Sequence, residues 1–183
     1  MVTDRKVVDT PRPLEIRAER PGDVAAVRRV VEAAFKGKSE ADLVDALRAG
    51  GKFSIALVAV QGRTVAGVCV LTDVEIAGSG LKPRGAGLAP LAVRPTFQRR
   101  GIGGVLARAA LERAREAGYG FVVLLGDPHY YRRFGFRAGS TLGLACEFAA
   151  PEEAFMAIEL VPGALAGVTG TVRYSPEFAE SFA

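Results

Sequence analysis

The chain has 183 residues, 49% of them apolar, and a formal net charge of +4. That length suits one domain with a continuous core, and the apolar share excludes an intrinsically disordered chain. No apolar run reaches the ~20 residues of a membrane-spanning helix, and the stretch MVTDRKVVDTPRP lacks the apolar centre of a secretion signal, so a soluble, cytoplasmic protein with no membrane partner is expected. Residues 1–13 are polar and proline-punctuated and read as a flexible arm. Leu14 to Glu19 alternates as a strand does. Pro21-Gly22-Asp23 then opens a helix with Val24, Val27, Val30, Val31, Ala34 and Phe35 on one face. Lys36-Gly37-Lys38 ends it, and Ser39, with Asp42 three residues on, has the spacing of a capping box for a second helix. Leu43, Val44 and Leu47 form that helix's buried side, and Gly50-Gly51 closes it.

Phe53 to Val60 is a strongly apolar strand. Gln61-Gly62-Arg63 reads as a hairpin turn, with an antiparallel return from Thr64 to about Ile76. The glycine- and proline-rich stretch from Ala77 to Gly87 reads as a loop, followed by a strand from Leu88 to Val93. A long amphipathic helix is expected from Ile102 to Ala117. Ile102, Val105, Leu106, Ala109, Ala110, Ala114 and Ala117 would line its inner side, Arg108, Glu112, Arg115 and Glu116 its outer side, and Gly118 would stop it. Phe121 to Leu125 reads as a strand buried on both faces. Gly126-Asp127-Pro128 turns into a short helical segment, HYYRRF, ended by Gly135. Further strand is expected from Phe136, a loop at Pro151-Glu152-Glu153, and a strand from Phe155 to Val161. Residues 162–183 read as a tail packing on a single domain over 14–161, adding irregular cover or a short edge strand. The order predicts a mixed α/β sheet, without the regular alternation of a doubly wound fold.

Cys69 and Cys146 sit in apolar runs and read as small buried residues. With a single histidine, His129, they make no structural zinc set, and no metal is expected. The chemistry concentrates in LAPLAVRPTFQRRGIGG, residues 88–104. A strand, a glycine turn and a helix start make an anion site, because the first helical N–H groups have no partner and the dipole is positive there. Between Arg94 and Arg115 lie six arginines against one acid, Glu112, which suits a phosphate-rich ligand. No recognition-helix, zinc-finger or aromatic RNA-binding signature accompanies them, so no nucleic-acid partner is expected. The turn lacks the lysine and Ser/Thr of a nucleotide P-loop, and taken alone it also fits plain close packing of helix on strand.

The stretch LAPLAVRPTFQRRGIGGVLARAALERARE resembles the acetyl-CoA motif of the GNAT N-acetyltransferase superfamily. The matching residues are Gln98, Gly101 and Gly103. YYRRFGF is similar to the family's tyrosine ahead of a Gly-Phe pair, and GDPHYYRRFGF resembles an uncharacterised bacterial branch. The resemblance runs from Leu14 to Val161. It implies a mostly antiparallel mixed sheet, splayed at a cofactor cleft and flanked by helices. It also implies transfer of acetyl from acetyl-CoA to a primary amine by direct attack in a ternary complex. Backbone at Leu91, Ala92 and Val93 would grip the pantetheine arm, with a bulge nearby and an N–H on the thioester carbonyl. Gln98, Arg99, Arg100, Gly101, Ile102, Gly103 and Gly104 would hold the pyrophosphate end.

Tyr131 matches the family's acid, a phenol able to protonate the departing thiolate; by its residues alone it equally reads as a locally satisfied aromatic. Tyr130 is the reserve and reads as packing or pocket lining. No acid or histidine lies between Ala86 and Val93, so Asp73, Glu75, Asp127, His129 and a water chain stay open as the base. Gly126-Asp127-Pro128 stands where the family often has an asparagine. A double displacement through Cys69 or Cys146 ranks low. A non-catalytic acyl-CoA sensor is the alternative reading. The acceptor, a small molecule or peptide amine, is not specified, and the late strands leave a homodimer open.

Overall fold

Apolar alternation and turn chemistry set the elements of the first half. The computed structural model describes residues 13–181; the arm expected at 1–13 lies, apart from Pro13, outside them. In chain order the elements are β1 (Leu14–Ala18), α1 (Val24–Phe35), α2 (Ser39–Ala49), β2 (Phe53–Gln61), β3 (Thr64–Ala77) and β4 (Gly85–Val93). They continue with α3 (Ile102–Glu116), β5 (Phe121–Leu125), α4 (Pro128–Tyr131), β6 (Arg137–Ala138), β7 (Leu144–Cys146), β8 (Phe155–Glu159) and β9 (Gly170–Arg173). Strands β2 and β3 form the expected hairpin: Gln61 pairs with Thr64, and Gly62, at φ 65°, takes the left-handed position of the two-residue turn.

The sheet order is β1-β2-β3-β4-β5-β8-β6, with β9 pairing the end of β3 and β7 pairing β9. Only β4–β5 and β7–β9 are parallel. The expected mixed, mostly antiparallel fold is what forms. Helix α3 covers one face, setting Leu106, Ala110 and Ala114 against Cys69, Leu71, Leu88 and Val122. Helices α1 and α2 cover the other, where Val27, Val30, Val31 and Val44 meet Val58, Val68 and Val70. On that second face, β7 and β9 fold over the far strands, packing Leu144 and Val172 on Phe121, Val123 and Phe155. Apolar area removed from water in these layers drives the fold.

Several sequence readings need correction. Strand β4 starts at Gly85, inside the expected loop, because Gly85 and Gly87 leave room that rings occupy: a Cβ on Gly85 would stand 2.0 Å from Phe121, and one on Gly87 2.6 Å from Tyr174. Phe35 and Val105, expected inside, are 43% and 41% exposed. Ala117, also expected inside, is exposed. Ser39 does not cap α2. It is the first helical residue, Lys38 is the N-cap, and the Asp42 carboxylate turns instead to Arg28 at 2.7 Å. Phe136 is buried but lies outside any strand. The strand expected to end at Val161 ends at Glu159. The tail adds β9 and a 3-10 turn over Pro176–Ser181, whose Phe178, 1% exposed, packs on Leu43 and Leu47 of α2.

Candidate active site

Strands β4 and β5 pair over only three residues, Gly85–Gly87 against Phe121–Val123. Past Gly87, β4 has no partner on that side, and a gap opens. The other edge of β4 slips there as well: Leu88 faces Leu71 but Leu91 faces Cys69, so β4 carries one extra residue at Ala89-Pro90. Proline suits a bulge because it has no N–H to give a ladder. The bulge breaks pairing next to the gap and leaves polar backbone that a ligand can use. Leu91 and Val93 are half-buried against the apolar layer under α3, and Ala92 points to the α1 side.

The chain then turns tightly into α3. The Gln98 side-chain amide donates to the Val93 carbonyl at 2.9 Å, closing the turn on itself. Gln98 thereby positions the loop, and its contact is with the chain. Arg99 and Gly101 both take left-handed backbone, at φ 59° and 81°. Ile102, Gly103 and Gly104 begin the helix, and the Gly101 carbonyl accepts its first bond, from Val105 N–H at 3.1 Å. The preceding N–H groups are therefore free for an anion.

A cleft of about 580 Å³ lies against this turn. It is lined by Val93 and Phe97, by Gln98, Arg99 and Gly101 to Gly104 of the turn, by Arg108 of α3, and by Tyr130 and Arg133 from the segment after β5. The structure thus brings Val93, Gln98, Arg99, Gly101, Ile102, Gly103 and Gly104 together. Leu91, Ala92 and Arg100 are not among the cleft's lining residues, and the Arg100 guanidinium lies 5.7 Å from the centre of the Phe97 ring. Arg108 and Arg133 were missed as lining residues. The Arg133 guanidinium lies over the Tyr130 ring at 4.5 Å, and the i, i+3 spacing within YYRRF was the available signal. The Tyr130 hydroxyl reaches the helix start, since a Cβ on Gly103 would sit 2.7 Å from it.

Asp127 caps α4 by accepting from the His129 N–H at 2.8 Å, as an Asx turn does. That cap aims the two tyrosines back across the gap. Tyr131 packs edge-on against Phe136 at 5.8 Å and against Tyr130 at 5.0 Å. Its ring also lies on Gly126, where a Cβ would be 2.5 Å away. It belongs to the same apolar cluster as Leu91 and Val93. Burial raises the Tyr131 phenol well above its ordinary range, and neighbouring Cys69 and Tyr130 add to the effect. Burial raises Tyr130 too, against the opposing charge of Arg133. Cys69, opposite Leu91, is fully buried and its thiol is pushed up to about 12. Asp73 accepts from the Tyr119 hydroxyl and, at 3.0 Å, from Ser54.

A mixed sheet parted beside a glycine turn, with a cationic cleft at the helix start and a tyrosine across the gap, is the framework of a CoA-dependent acyltransferase. Residues 15–139 match the acetyltransferase (GNAT) domain family. The chain is 36% identical over 164 residues to the N-acetyltransferase YhbS of Escherichia coli K12, covering 89% of this chain and 97% of that protein. It is 34% identical over 134 residues to YjhQ of the same organism, covering 72% and 74%. The crystal structure of E. coli YhbS in complex with CoA superposes with a TM-score of 0.88 at 34% identity, covering 98% of this chain and 96% of that one. A GNAT acetyltransferase from Brucella melitensis in complex with acetyl-CoA gives 0.76 at 37% identity, covering 91% and 99%. The chain belongs to the GNAT family of N-acetyltransferases.

Proposed function

We propose that this protein binds acetyl-CoA in the gap and transfers its acetyl group to a primary amine by direct attack in a ternary complex. The observation that carries the reading is the parting of β4 from β5 after Gly87, directly beside the glycine turn of α3. An extended thioester fits that layout. Its arm would lie along Leu91, Ala92 and Val93 as an added strand, and its pyrophosphate would meet the free N–H groups from Arg99 to Gly104. Arg99, Arg108 and Arg133 would supply charge, and Arg100 long-range attraction. The complex of YhbS with CoA and that of the Brucella protein with acetyl-CoA support the choice of cosubstrate.

In the reaction, the neutral amine attacks the thioester carbonyl carbon and a C–N bond forms. Backbone N–H at the bulge would stabilise the developing oxyanion. Collapse breaks the C–S bond. The amine's proton leaves to water, the Tyr131 hydroxyl gives its proton to the thiolate, and solvent restores the phenol. Tyr131 is protonated at neutral pH, the form that can donate, and burial makes it a weaker acid than a free phenol. Asp127 is engaged as a cap, which leaves Asp73, Glu75, His129 or solvent to take the amine's proton. The double-displacement route has no support at Cys69, whose buried thiol stays protonated.

The second reading is a non-catalytic acyl-CoA sensor. It draws on β4, which offers no acid or base beside the gap between Gly85 and Val93. Release of thiol from acetyl-CoA separates the two. An enzyme releases thiol in step with N-acetylated product when amine is added, and a sensor binds CoA and releases none.

A further inference from the structure

A second basin, of about 570 Å³, lies along β3, away from the gap. It sits where two partners of β3 stop short of one another. Phe53, the first residue of β2, faces Thr72, and Arg173, the last of β9, faces Glu75. Asp73 and Val74, between them, pair with β4 alone. The basin and the cleft at the α3 turn share no lining residue. The paired backbone of Thr72 and Gly87, and the Tyr174 ring that lies on Gly87, stand between the basin and the parted strands. A small molecule held here is out of reach of a thioester in the gap, so the basin is a site of its own.

Its polar lining is incomplete. Among the described residues, five buried side-chain atoms lack a hydrogen-bond partner, and three of them belong to residues that line this basin: Thr72, Tyr174 and Ser175. Thr72 is 0% exposed, which makes its unpaired hydroxyl the costliest kind. Native structures leave few such groups, and a cluster of them beside one cavity points to a ligand that bonds them.

The charges around it are incomplete in the same way. Lys52, Glu75 and Arg173 line the basin with exposed side chains. Glu75 and Arg173 are cross-strand partners, yet among the described residues neither they nor Lys52 forms an ion pair. The remaining charged groups are fixed. Arg84 donates to the Ala117 carbonyl at 2.6 Å and to the Tyr119 hydroxyl at 3.0 Å. Tyr119 in turn donates to Asp73, which also accepts from Ser54 at 3.0 Å. What is left open is two cations, one carboxylate and the buried hydroxyls.

We infer that this basin binds a small zwitterion, a molecule carrying one carboxylate and one ammonium as a free amino acid does, at a site separate from acetyl transfer. The ligand's carboxylate would lie between Lys52 and Arg173, and its ammonium at Glu75. Thr72 and Ser175 would give their hydroxyls to its oxygens. A Glu75 engaged in this way is not the base of the transfer reaction. The bound molecule would join the start of β2, the middle of β3 and the exit of β9. Binding here needs neither acetyl-CoA nor turnover.

The full chain is titrated in a calorimeter with a panel of free L-amino acids, once without CoA and once with CoA at saturation. At least one acid should bind, with the same affinity in both conditions, and should raise the melting temperature. Its C-terminal amide lacks the carboxylate and its N-acetyl form lacks the ammonium. Each should bind about tenfold or more weakly, the size of one charge-assisted hydrogen bond. Lys52→Gln/Arg173→Gln should bring the free acid down to the level of its amide. Thr72→Val should weaken binding severalfold without lowering the melting temperature of the free chain, because it removes a hydroxyl that already lacks a partner. A panel with no binder overturns the proposal, and so does an amide or N-acetyl form that binds as well as the free acid. An acid that CoA displaces, or one whose affinity survives in the double variant, is bound at the transfer site instead and overturns it too.

Discussion

Replacing Gly103 and Gly101 with alanine, one at a time, tests the glycine turn before α3. Gly103 is not at positive φ, so alanine fits its backbone, and in the first turn of α3 the change should stabilise the helix by up to ~1 kcal/mol. The new Cβ would stand 3.6 Å from Val93 Cγ2, an ordinary contact, and 2.7 Å from the Tyr130 hydroxyl. That hydroxyl is the far end of a side chain on the cleft wall, and it can move. The acetyl-CoA signature that this turn resembles takes glycine or alanine at this position. CoA affinity should therefore stay within about threefold of the wild type, ~0.6 kcal/mol, with the melting temperature unchanged or higher. Calorimetric titration with CoA and a thermal melt on the same sample measure both. Gly101→Ala is the contrast: at φ 81° it should destabilise the fold by about 1–2 kcal/mol and weaken CoA as well. A Gly101→Ala protein that binds CoA as the wild type does would refute the assignment of the turn to the pyrophosphate.

Tyr131→Phe should lower kcat by ~100-fold or more while leaving CoA affinity and melting temperature alone, checked by steady-state thiol release and calorimetry. Because burial raises the Tyr131 phenol, it stays protonated through neutral pH, and kcat/KM should rise with pH as the acceptor ammonium loses its proton. A fall setting in below the ordinary phenol value of about 10 would point to a different acid. Phe178→Ala, which empties a fully buried ring site against Leu43 and Leu47, should cost about 3–5 kcal/mol in urea unfolding, whereas a loosely attached tail would cost almost nothing. Cys69 should resist alkylation at pH 8 until the chain unfolds, since its thiol is buried and pushed up to about 12, and Cys69→Ala should keep turnover.

The readings that held are those with a local physical cause. The valine stripe of α1, the glycine that turns β2 into β3 and the glycine turn before α3 each carry their instruction within a few residues. Gly118, at φ 82° just past α3, ends that helix as expected. The misses are positions decided by distant chain. Gly85 and Gly87 look like loop residues until Phe121 and Tyr174 are seen to fill the space their missing side chains leave. Asp42 looks like half of a capping box until Arg28 from the neighbouring helix takes its carboxylate. The short edge strand open to the tail is β9, whose place is fixed by the overrunning end of β3 that offers it an edge. At the site, the backbone features were legible because glycine and proline announce them. The cleft wall of Tyr130 and Arg133 needed the cap at Asp127 to swing α4 across the gap.

The central claim is amine-dependent acetyl transfer at the parted strands. Its most direct measurement is thiol release from acetyl-CoA by the purified protein across a broad panel of amines, beside a no-amine control, with the acetylated product quantified by mass. The account predicts release that requires an amine, matches N-acetyl product one for one, and falls in the Tyr131→Phe protein while CoA binding is retained. Tight CoA binding with no release above the control for any amine would contradict it.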